Sequence, residues 1–329
     1  MVMSDVAEDV LIRDFRKSDL NDLLDVASLS FTEEFEVTGF DLDRVREMVD
    51  RMFGTLGKIF FGFSKLFGKE PVKVFVAEVG DRVVGTTMVS NRGKVSYIST
   101  VMVHPTYRRK GVATKIMESA LKYVQKKKSR AILHVITTNT PAKNLYKKLG
   151  FKRFENITYL VGDIDSLPKP KNTEEIQIRP FHKSDINKVY NLIKISGDPN
   201  HLKIFDFSKN DLKTQLLKRI FYFSTEKKMI ATQNDKIIGY TRASYTTPKE
   251  AGHIGDIYTY PENRSTGIER ALINAAIDQI RQCGTKRIQA TVSTMRQELI
   301  ETLTNLGFSK HLEMEGMFLE TRIKHARSR

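Results

Sequence analysis

Residues 12–20, IRDFRKSDL, return as residues 178–186, IRPFHKSDI. Three further matches follow in the same order: DRVVGTTMVS (81–90) with DKIIGYTRAS (235–244), Arg108-Arg109-Lys110-Gly111 with Arg264-Ser265-Thr266-Gly267, and Leu149-Gly150-Phe151 with Leu306-Gly307-Phe308. Their offsets are 166, 154, 156 and 157 residues. Matches in fixed order at near-constant spacing mark a duplicated unit, so this chain of 329 residues is expected to fold as two copies of one domain. Either copy is long enough to bury a core of its own. The join falls in DIDSLPKPKNTEE (163–175), where Pro168 and Pro170 stand in a polar stretch that suits a linker. The expected domains are residues 1–165 and 176–329.

The fall in offset from 166 to 154 gives the first copy 12 extra residues between its first helix and its central strands. That interval holds RMFGTLGKIFFGFSKLFGK (51–69), rich in Phe and interrupted by Gly and Lys. It is compatible with a lid over an acceptor, with an amphipathic element at a membrane surface, or with a helix packed on its own domain. The last is the simplest reading.

Within a copy, strands and helices alternate. A short strand at 10–15 precedes a helix that Ser18 is expected to cap. Strands follow at 73–79, 82–90 and 95–103, the first two joined by a Gly-Asp turn. After Gly111, the sequence KIMESALKYVQ places Ile116, Met117, Ala120, Leu121 and Val124 on one helical face. A strand at 131–137, a helix at 141–148 and a last strand at 156–161 complete the copy. The pattern is α/β with a mixed sheet.

The net charge of +15 is unevenly placed: residues 1–50 carry −9, residues 51–168 carry +15 and residues 169–329 carry +9. An acidic region beside a basic one can hold a cationic and an anionic ligand apart; a solvated basic surface is the plain alternative. A single cysteine, Cys283, excludes a disulfide framework and a multi-cysteine zinc site, and no metal is expected. The start, MVMSDVAEDV, is acidic and has no apolar core, so no secretory signal is expected. No stretch approaches the roughly 18 uncharged apolar residues of a membrane span, and the protein reads as cytoplasmic.

The most informative segment is VMVHPTYRRKGVAT (101–114). A strand ends at Val103, His104-Pro105 turns, and a helix begins near Gly111. Backbone N–H groups at such a helix start converge on one point, and the dipole favours an anion there. Gly111 and Ala113 lack bulk, which lets a phosphate approach the backbone, and Arg108, Arg109 and Lys110 add positive charge. A second segment, NTPAKNLYKKLGF (139–151), carries Asn139, Ala142, Tyr146, Gly150 and Phe151. Together the two resemble the GNAT acyltransferases: V-x-V-x-P, then R-x-x-G-x-A, then N-x-x-A-x-x-L-Y-x-x-L-G-F. The resemblance covers the whole first copy and, more weakly, the second.

That resemblance implies two tandem GNAT-like domains, each a mixed, mostly antiparallel twisted sheet flanked by helices and splayed at an acyl-CoA cleft. It implies acetyl-CoA as co-substrate, its pantetheine arm paired with the strand end Val101, Met102 and Val103 and held by Asn139. The pyrophosphate falls on the turn from Arg108, Arg109 and Lys110 through Gly111, Val112, Ala113 and Thr114. Tyr146 is the expected proton donor to the departing thiolate, and backbone N–H near Val103 the oxyanion stabiliser. Many relatives carry a glutamate on the strand before V-x-V, but Ser96-Tyr97-Ile98-Ser99-Thr100 holds no carboxylate. The general base is therefore left open. Glu33, Glu34 and Glu36 are candidates to receive an amine acceptor, against the plainer reading of a solvated acidic face.

The second copy is expected to be inactive. Glu269 stands at the position of Ala113, where a larger anionic side chain would oppose phosphate. Leu303 stands at the position of Tyr146. His104 reads as a turn residue, His253 as lying near where some relatives carry a base, and Cys283 as a small residue at a helix end. The resulting expectation is an acetyl-CoA-dependent N-acetyltransferase acting on a primary amine of a cationic small molecule, peptide or protein. The alternatives are a non-catalytic acyl-CoA-binding regulator and an RNA- or protein-binding module. No interleaved aromatic-basic motif favours nucleic acid.

Overall fold

A computed structural model of the chain describes residues 10–30, 42–55, 57, 62, 70–168, 176–213, 224–246, 251–264 and 266–321. In chain order the elements are β1 (Leu11–Asp14), α1 (Leu20–Ser30), α2 (Leu42–Phe53), β2 (Val72–Val79), β3 (Arg82–Arg92), β4 (Val95–Val103), α3 (Val112–Lys126), β5 (Arg130–Ile136), α4 (Thr140–Lys148) and β6 (Lys152–Asp163). The repeat follows as β7 (Gln177–Pro180), α5 (Ile186–Ser196), α6 (Pro199–Ile204), β8 (Ser224–Gln233), β9 (Lys236–Thr246), β10 (Gly252–Thr259), α7 (Ile268–Arg281), β11 (Arg287–Ser293), α8 (Gln297–Asn305) and β12 (Ser309–Leu319).

The chain divides into two compact units whose limits differ from residues 1–165 and 176–329. Unit 1 gathers the described residues up to Arg153 together with those from Gly316 onward, and unit 2 is built from Phe154–Glu315. The last strand of the first copy, β6, thus lies in unit 2 from Phe154 onward, whereas β12 is divided, its first part up to Glu315 in unit 2 and its end from Gly316 in unit 1. In unit 1 the strand order is β1-β2-β3-β4-β5 followed by the end of β12. Met317 of β12 is 1% exposed there, in one cluster with Leu133, Val135, Tyr146 and Phe151. In unit 2 the order is β12-β6-β11-β10-β9-β8-β7, with β12 present up to Glu315. There β6 pairs antiparallel with β11 from Ile157↔Ser293 to Asp163↔Arg287. An alternation of apolar residues specifies that a strand forms but leaves open which sheet edge it joins.

The two units share local construction. In each, the β1-type strand supplies an arginine to an aspartate at the first turn: Arg13 to Asp19 at 2.6 and 2.9 Å, and Arg179 to Asp185 at 2.8 and 2.9 Å. Asp19 also accepts from the backbone N–H of Arg16 at 2.7 Å, and Asp185 from that of His182 at 2.8 Å. The turn is therefore held by Asp19, not by the Ser18 hydroxyl expected from the sequence, because the aspartate joins a cap to a bidentate ion pair. Gly85 of β3 lies so close to β4 and α3 that an added Cβ would stand 2.9 Å from both the Met102 carbonyl oxygen and Ile116 Cδ1.

Of the Phe-rich insert 51–69, most residues lie outside those described. Phe53, near its start, packs against Leu20 and against Val45 and Val49 of α2, and meets Phe15 edge-on at 6.0 Å. Among the described residues no helix is long and apolar enough to cross a membrane.

Candidate active site

In unit 1, β4 and β5 run parallel but pair only at Val95↔Arg130, Ser96↔Ala131 and Tyr97↔Ile132. Beyond Tyr97 the strands part, although β4 continues to Val103 and β5 to Ile136. A bulge helps to turn β4 away. Thr86 pairs with Met102 and Met88 with Ser99, so Thr100 and Val101 oppose the single residue Thr87. Thr100 takes φ 56, and the Thr87 hydroxyl donates to the Ser99 carbonyl at 3.1 Å. Bulges bend a strand and re-aim its backbone groups. The result is an open gap flanked on one side by Val101, Met102 and Val103.

The 101–114 segment forms the turn expected of it. His104 caps a short turn, its Nδ1 lying 2.8 Å from the Thr106 hydroxyl. Arg109 at φ 63 and Gly111 at φ 76 then swing the chain into α3. Nothing lies within 4 Å of where a Gly111 Cβ would stand, so the space over the helix start is clear. The N–H groups of Val112, Ala113 and Thr114 belong to the first helical turn, which has no intrahelical acceptors to offer them. The three cations are not equivalent. Arg108 turns back so that Nε donates to the Val103 carbonyl at 3.0 Å, and Lys110 lies 5.4 Å from the Tyr107 ring centre.

Asn139 caps α4, its Oδ1 accepting from the Ala142 N–H at 3.1 Å. That use of Oδ1 leaves the amide nitrogen as its remaining donor. Tyr146, on α4, is 6% exposed and packs against Phe151 with ring centres 5.9 Å apart. Burial, with a smaller contribution from Tyr97, pushes its phenol up to about 12. Its hydroxyl is therefore protonated at neutral pH and able to donate.

Two residues that sequence reading passed over meet at the same gap. The Tyr97 hydroxyl lies 3.0 Å from His134 Nδ1, with the rings 5.8 Å apart. The signal available in the sequence was the single histidine in the apolar strand AILHVIT. Its partner, 37 residues earlier, is set by strand pairing. Glu33, Glu34 and Glu36 lie outside the described residues.

Unit 2 repeats the frame. β10 pairs with β11 only from Gly252↔Ile288 to Ile254↔Ala290, a bulge places Asp256 at φ 55, and Gly267 starts α7 at φ 91. The gap is filled differently from the expectation of an anion facing phosphate. Glu269 is 4% exposed, accepts from the Thr259 hydroxyl at 2.8 Å and is ion-paired with Arg296, which also holds Glu298. Glu269, Thr259 and Arg296 stand at the positions of Ala113, Val103 and Asn139 and tie α7, the strand end and the start of α8 together. Leu303, replacing Tyr146, is fully buried. His253 bonds Thr291 at 3.1 Å, and burial together with Arg242 pushes its imidazole down to about 4. Cys283 sits at the end of α7, its thiol facing the Gln279 carbonyl at 3.2 Å. Among the described residues, no group of three or more His, Cys, Asp or Glu is placed to hold a metal.

Comparison with known proteins agrees with this frame. The profile of the Acetyltransferase (GNAT) family matches residues 24–151 and 198–308, one match in each copy. Mycothiol acetyltransferase of Renibacterium salmoninarum is 23% identical over 219 residues, which is 64% of this chain and 63% of that protein. N-alpha-acetyltransferase of Sulfurisphaera tokodaii is 31% identical over 103 residues, 27% of this chain and 62% of that protein. The chain thus spans less than two thirds of the length of these relatives. A solved tandem GNAT protein from the clavulanic acid biosynthesis pathway shares the fold, with a TM-score of 0.65 at 15% identity over 96% of this chain and 99% of that one. With both copies matched by the profile and both built on the same splayed sheet, the chain belongs to the GNAT family of acetyltransferases.

Proposed function

We propose that this protein is an N-acetyltransferase with one working site, in unit 1, that transfers acetyl from acetyl-CoA to a primary amine of a cationic acceptor. The observation that carries the reading is the parting of β4 and β5 beyond Tyr97, with a clear helix start at one end and buried Tyr146 alongside. The residues present fit acetyl-CoA. The free N–H groups at Val112, Ala113 and Thr114, with Arg109 beside them, suit a pyrophosphate. The edge of β4 from Val101 to Val103, beyond its pairing with β5, suits an extended amide-bearing arm, in the manner of an added strand. The Asn139 amide nitrogen is a further donor for that arm.

Acetyl-CoA supplies an activated thioester, and the protein supplies orientation and proton control. Backbone N–H near Val103 is the donor for charge developing on the carbonyl oxygen as a neutral amine attacks. Tyr146, protonated at neutral pH, hands its proton to the thiolate as the C–S bond breaks. The acidic N-terminal 50 residues favour a cationic acceptor such as a polyamine, a lysine side chain or a protein N-terminus. Glu33 and Glu34 are our candidates for its recognition. In unit 2 the ion pair of Glu269 with Arg296 bridges the matching positions, which supports assigning the working site to unit 1.

Calorimetric titration with acetyl-CoA, on the wild type and on Gly111→Glu, tests this. One equivalent bound, and lost in the variant, is the expected outcome. Two equivalents, or one that survives the substitution, would put a site in unit 2 and overturn the assignment. A subsequent acceptor screen should favour cations; turnover only with neutral or anionic amines would exclude the acceptor class.

A further inference from the structure

We propose that Tyr97 and His134 are the proton-accepting pair of this site, Tyr97 taking the proton from the incoming ammonium and His134 receiving it through the phenol. The inference rests on the proposed amine transfer and supplies the base that β4 lacks in carboxylate form.

Three observations converge on it. First, Tyr97 is the last residue of β4 paired with β5, and His134 lies two residues beyond its partner Ile132. The side chains of Tyr97, Ile132 and His134 therefore share one face, and the 3.0 Å hydrogen bond spans the two strands where they begin to part. Second, Tyr97 is close enough to Tyr146 to raise the pKa of that phenol. One group able to give a proton and one pair able to take it thus border the same gap. Third, neither β4 (VSYISTVMV) nor β5 (RAILHVI) carries an aspartate or glutamate. Both members of the pair are half-buried, neither sealed from the gap nor set out in bulk water.

Unit 2 offers an internal contrast. At the positions of Tyr97 and His134 it carries His253 and Thr291, and at the position of Met88 it carries Arg242. The imidazole there has moved to the other strand and stands beside a cation. The tyrosine-histidine order is a property of unit 1, the unit that also keeps Tyr146.

The proton balance closes. With the Tyr97 hydroxyl donating to Nδ1, the neutral imidazole bears its own proton on Nε2. An ammonium passes one proton to the Tyr97 oxygen while the Tyr97 proton moves to His134, which later releases it to solvent. The neutral amine then forms the C–N bond. The C–S bond breaks, Tyr146 protonates the thiolate, and the proton leaving the new amide nitrogen restores Tyr146. One amine proton ends on CoA and one in solvent.

The test uses initial rates of thiol release from acetyl-CoA with two small probes, n-propylamine, which is mostly protonated at neutral pH, and O-methylhydroxylamine, which is not. In His134→Gln and Tyr97→Phe the rate with propylamine should fall about 100-fold, while that with O-methylhydroxylamine should change less than about threefold, because no base is needed to free its lone pair. Added imidazole should restore propylamine turnover in His134→Ala. Equal losses with both probes, or no loss with propylamine, would overturn the pair, provided calorimetry shows acetyl-CoA still bound. A wild type that binds acetyl-CoA and transfers to neither probe would also overturn it. A wild type that does not bind acetyl-CoA would instead bring down the underlying acetyltransfer reading, so the two failures are distinguishable.

Discussion

The guanidinium of Arg296 closes on the carboxylate of Glu269 inside unit 2, joining the positions that in unit 1 are held by Asn139 and Ala113. Glu269 is nearly inaccessible and Arg296 only slightly exposed. Removing Arg296 leaves the buried Glu269 carboxylate without its ion-pair partner, a loss of about 3–5 kcal/mol, whereas Arg296 without Glu269 still holds Glu298. Arg296→Asn is therefore expected to lower the melting temperature clearly. The double variant Glu269→Ala/Arg296→Asn, which restores the unit 1 residues, should recover most of the loss. Additive losses in the double variant would mean that the two residues act independently.

Tyr146→Phe keeps the ring that packs against Phe151 and removes only the hydroxyl. Under the proposed mechanism, kcat should fall about 100-fold while acetyl-CoA affinity is retained within about twofold. Turnover that does not depend on the Tyr146 hydroxyl would remove Tyr146 as the donor to the thiolate. Steady-state rates and calorimetry on the same preparation make the comparison.

Gly85→Ala tests the close approach of β3 to β4 and α3. The new methyl would meet the Met102 carbonyl oxygen, a backbone atom at the edge of the gap, at 2.9 Å. Overpacking of this kind costs about 1–3 kcal/mol. The expected result is a lower urea midpoint with an unchanged m-value, and Gly239→Ala, at the matching position in unit 2, should cost less because the atom 2.8 Å from its Cβ is Leu272 Cδ1, the end of a side chain that can shift.

His201 Nδ1 lies 2.6 Å from Glu155, and the ring stacks on Phe205 at 4.4 Å. Burial opposes the imidazolium, but the hydrogen bond and charge of Glu155 outweigh it, so its pKa is raised. Stabilisation from this pair is fully present below about pH 6.5, the unfolded value. It is lost as pH rises through the raised folded value. His201→Gln should therefore cost more stability at about pH 5.5 than at about pH 8.5. His253 works in the opposite sense, because a folded pKa of about 4 makes its contribution full above about pH 6.5 and lost as pH falls through the folded value. Denaturant titrations across this range, with NMR titration of each ring, separate the two.

Met317 belongs by sequence to the last strand of the second copy and by packing to the core of unit 1. Met317→Ala should destabilise unit 1 by about 2–5 kcal/mol, as for other core truncations. Hydrogen exchange should report the loss in β5 and α4, next to Tyr146, and leave α7 and β10 protected. Loss confined to α7 and β10 would contradict the place of Met317 in the core of unit 1.

The amino-acid sequence by itself determined the duplication, the alternation of strands and helices and the glycine turn at 108–114. Each of these depends on residues close together in the chain. Positive φ at Gly111 and Gly267, the helix starts behind them and the face of α3 formed by Ile116, Met117, Ala120 and Val124 all follow from local backbone rules. The sequence also singled out Tyr146, because its motif is contiguous.

What the tertiary structure decided is pairing across distance. Tyr97 meets His134 because β4 and β5 lie side by side for only three residues, and Arg296 meets Glu269 because two helices start at one gap. Neither partner is marked by composition. Nor did the pattern of apolar residues assign β6 to unit 2 or the end of β12 to unit 1, since both strands offer an apolar face that either sheet can bury. The choice between edges is made by packing, as Met317 fills the space beside Leu133, Val135 and Phe151. Such a space exists only once the rest of the unit has folded around it.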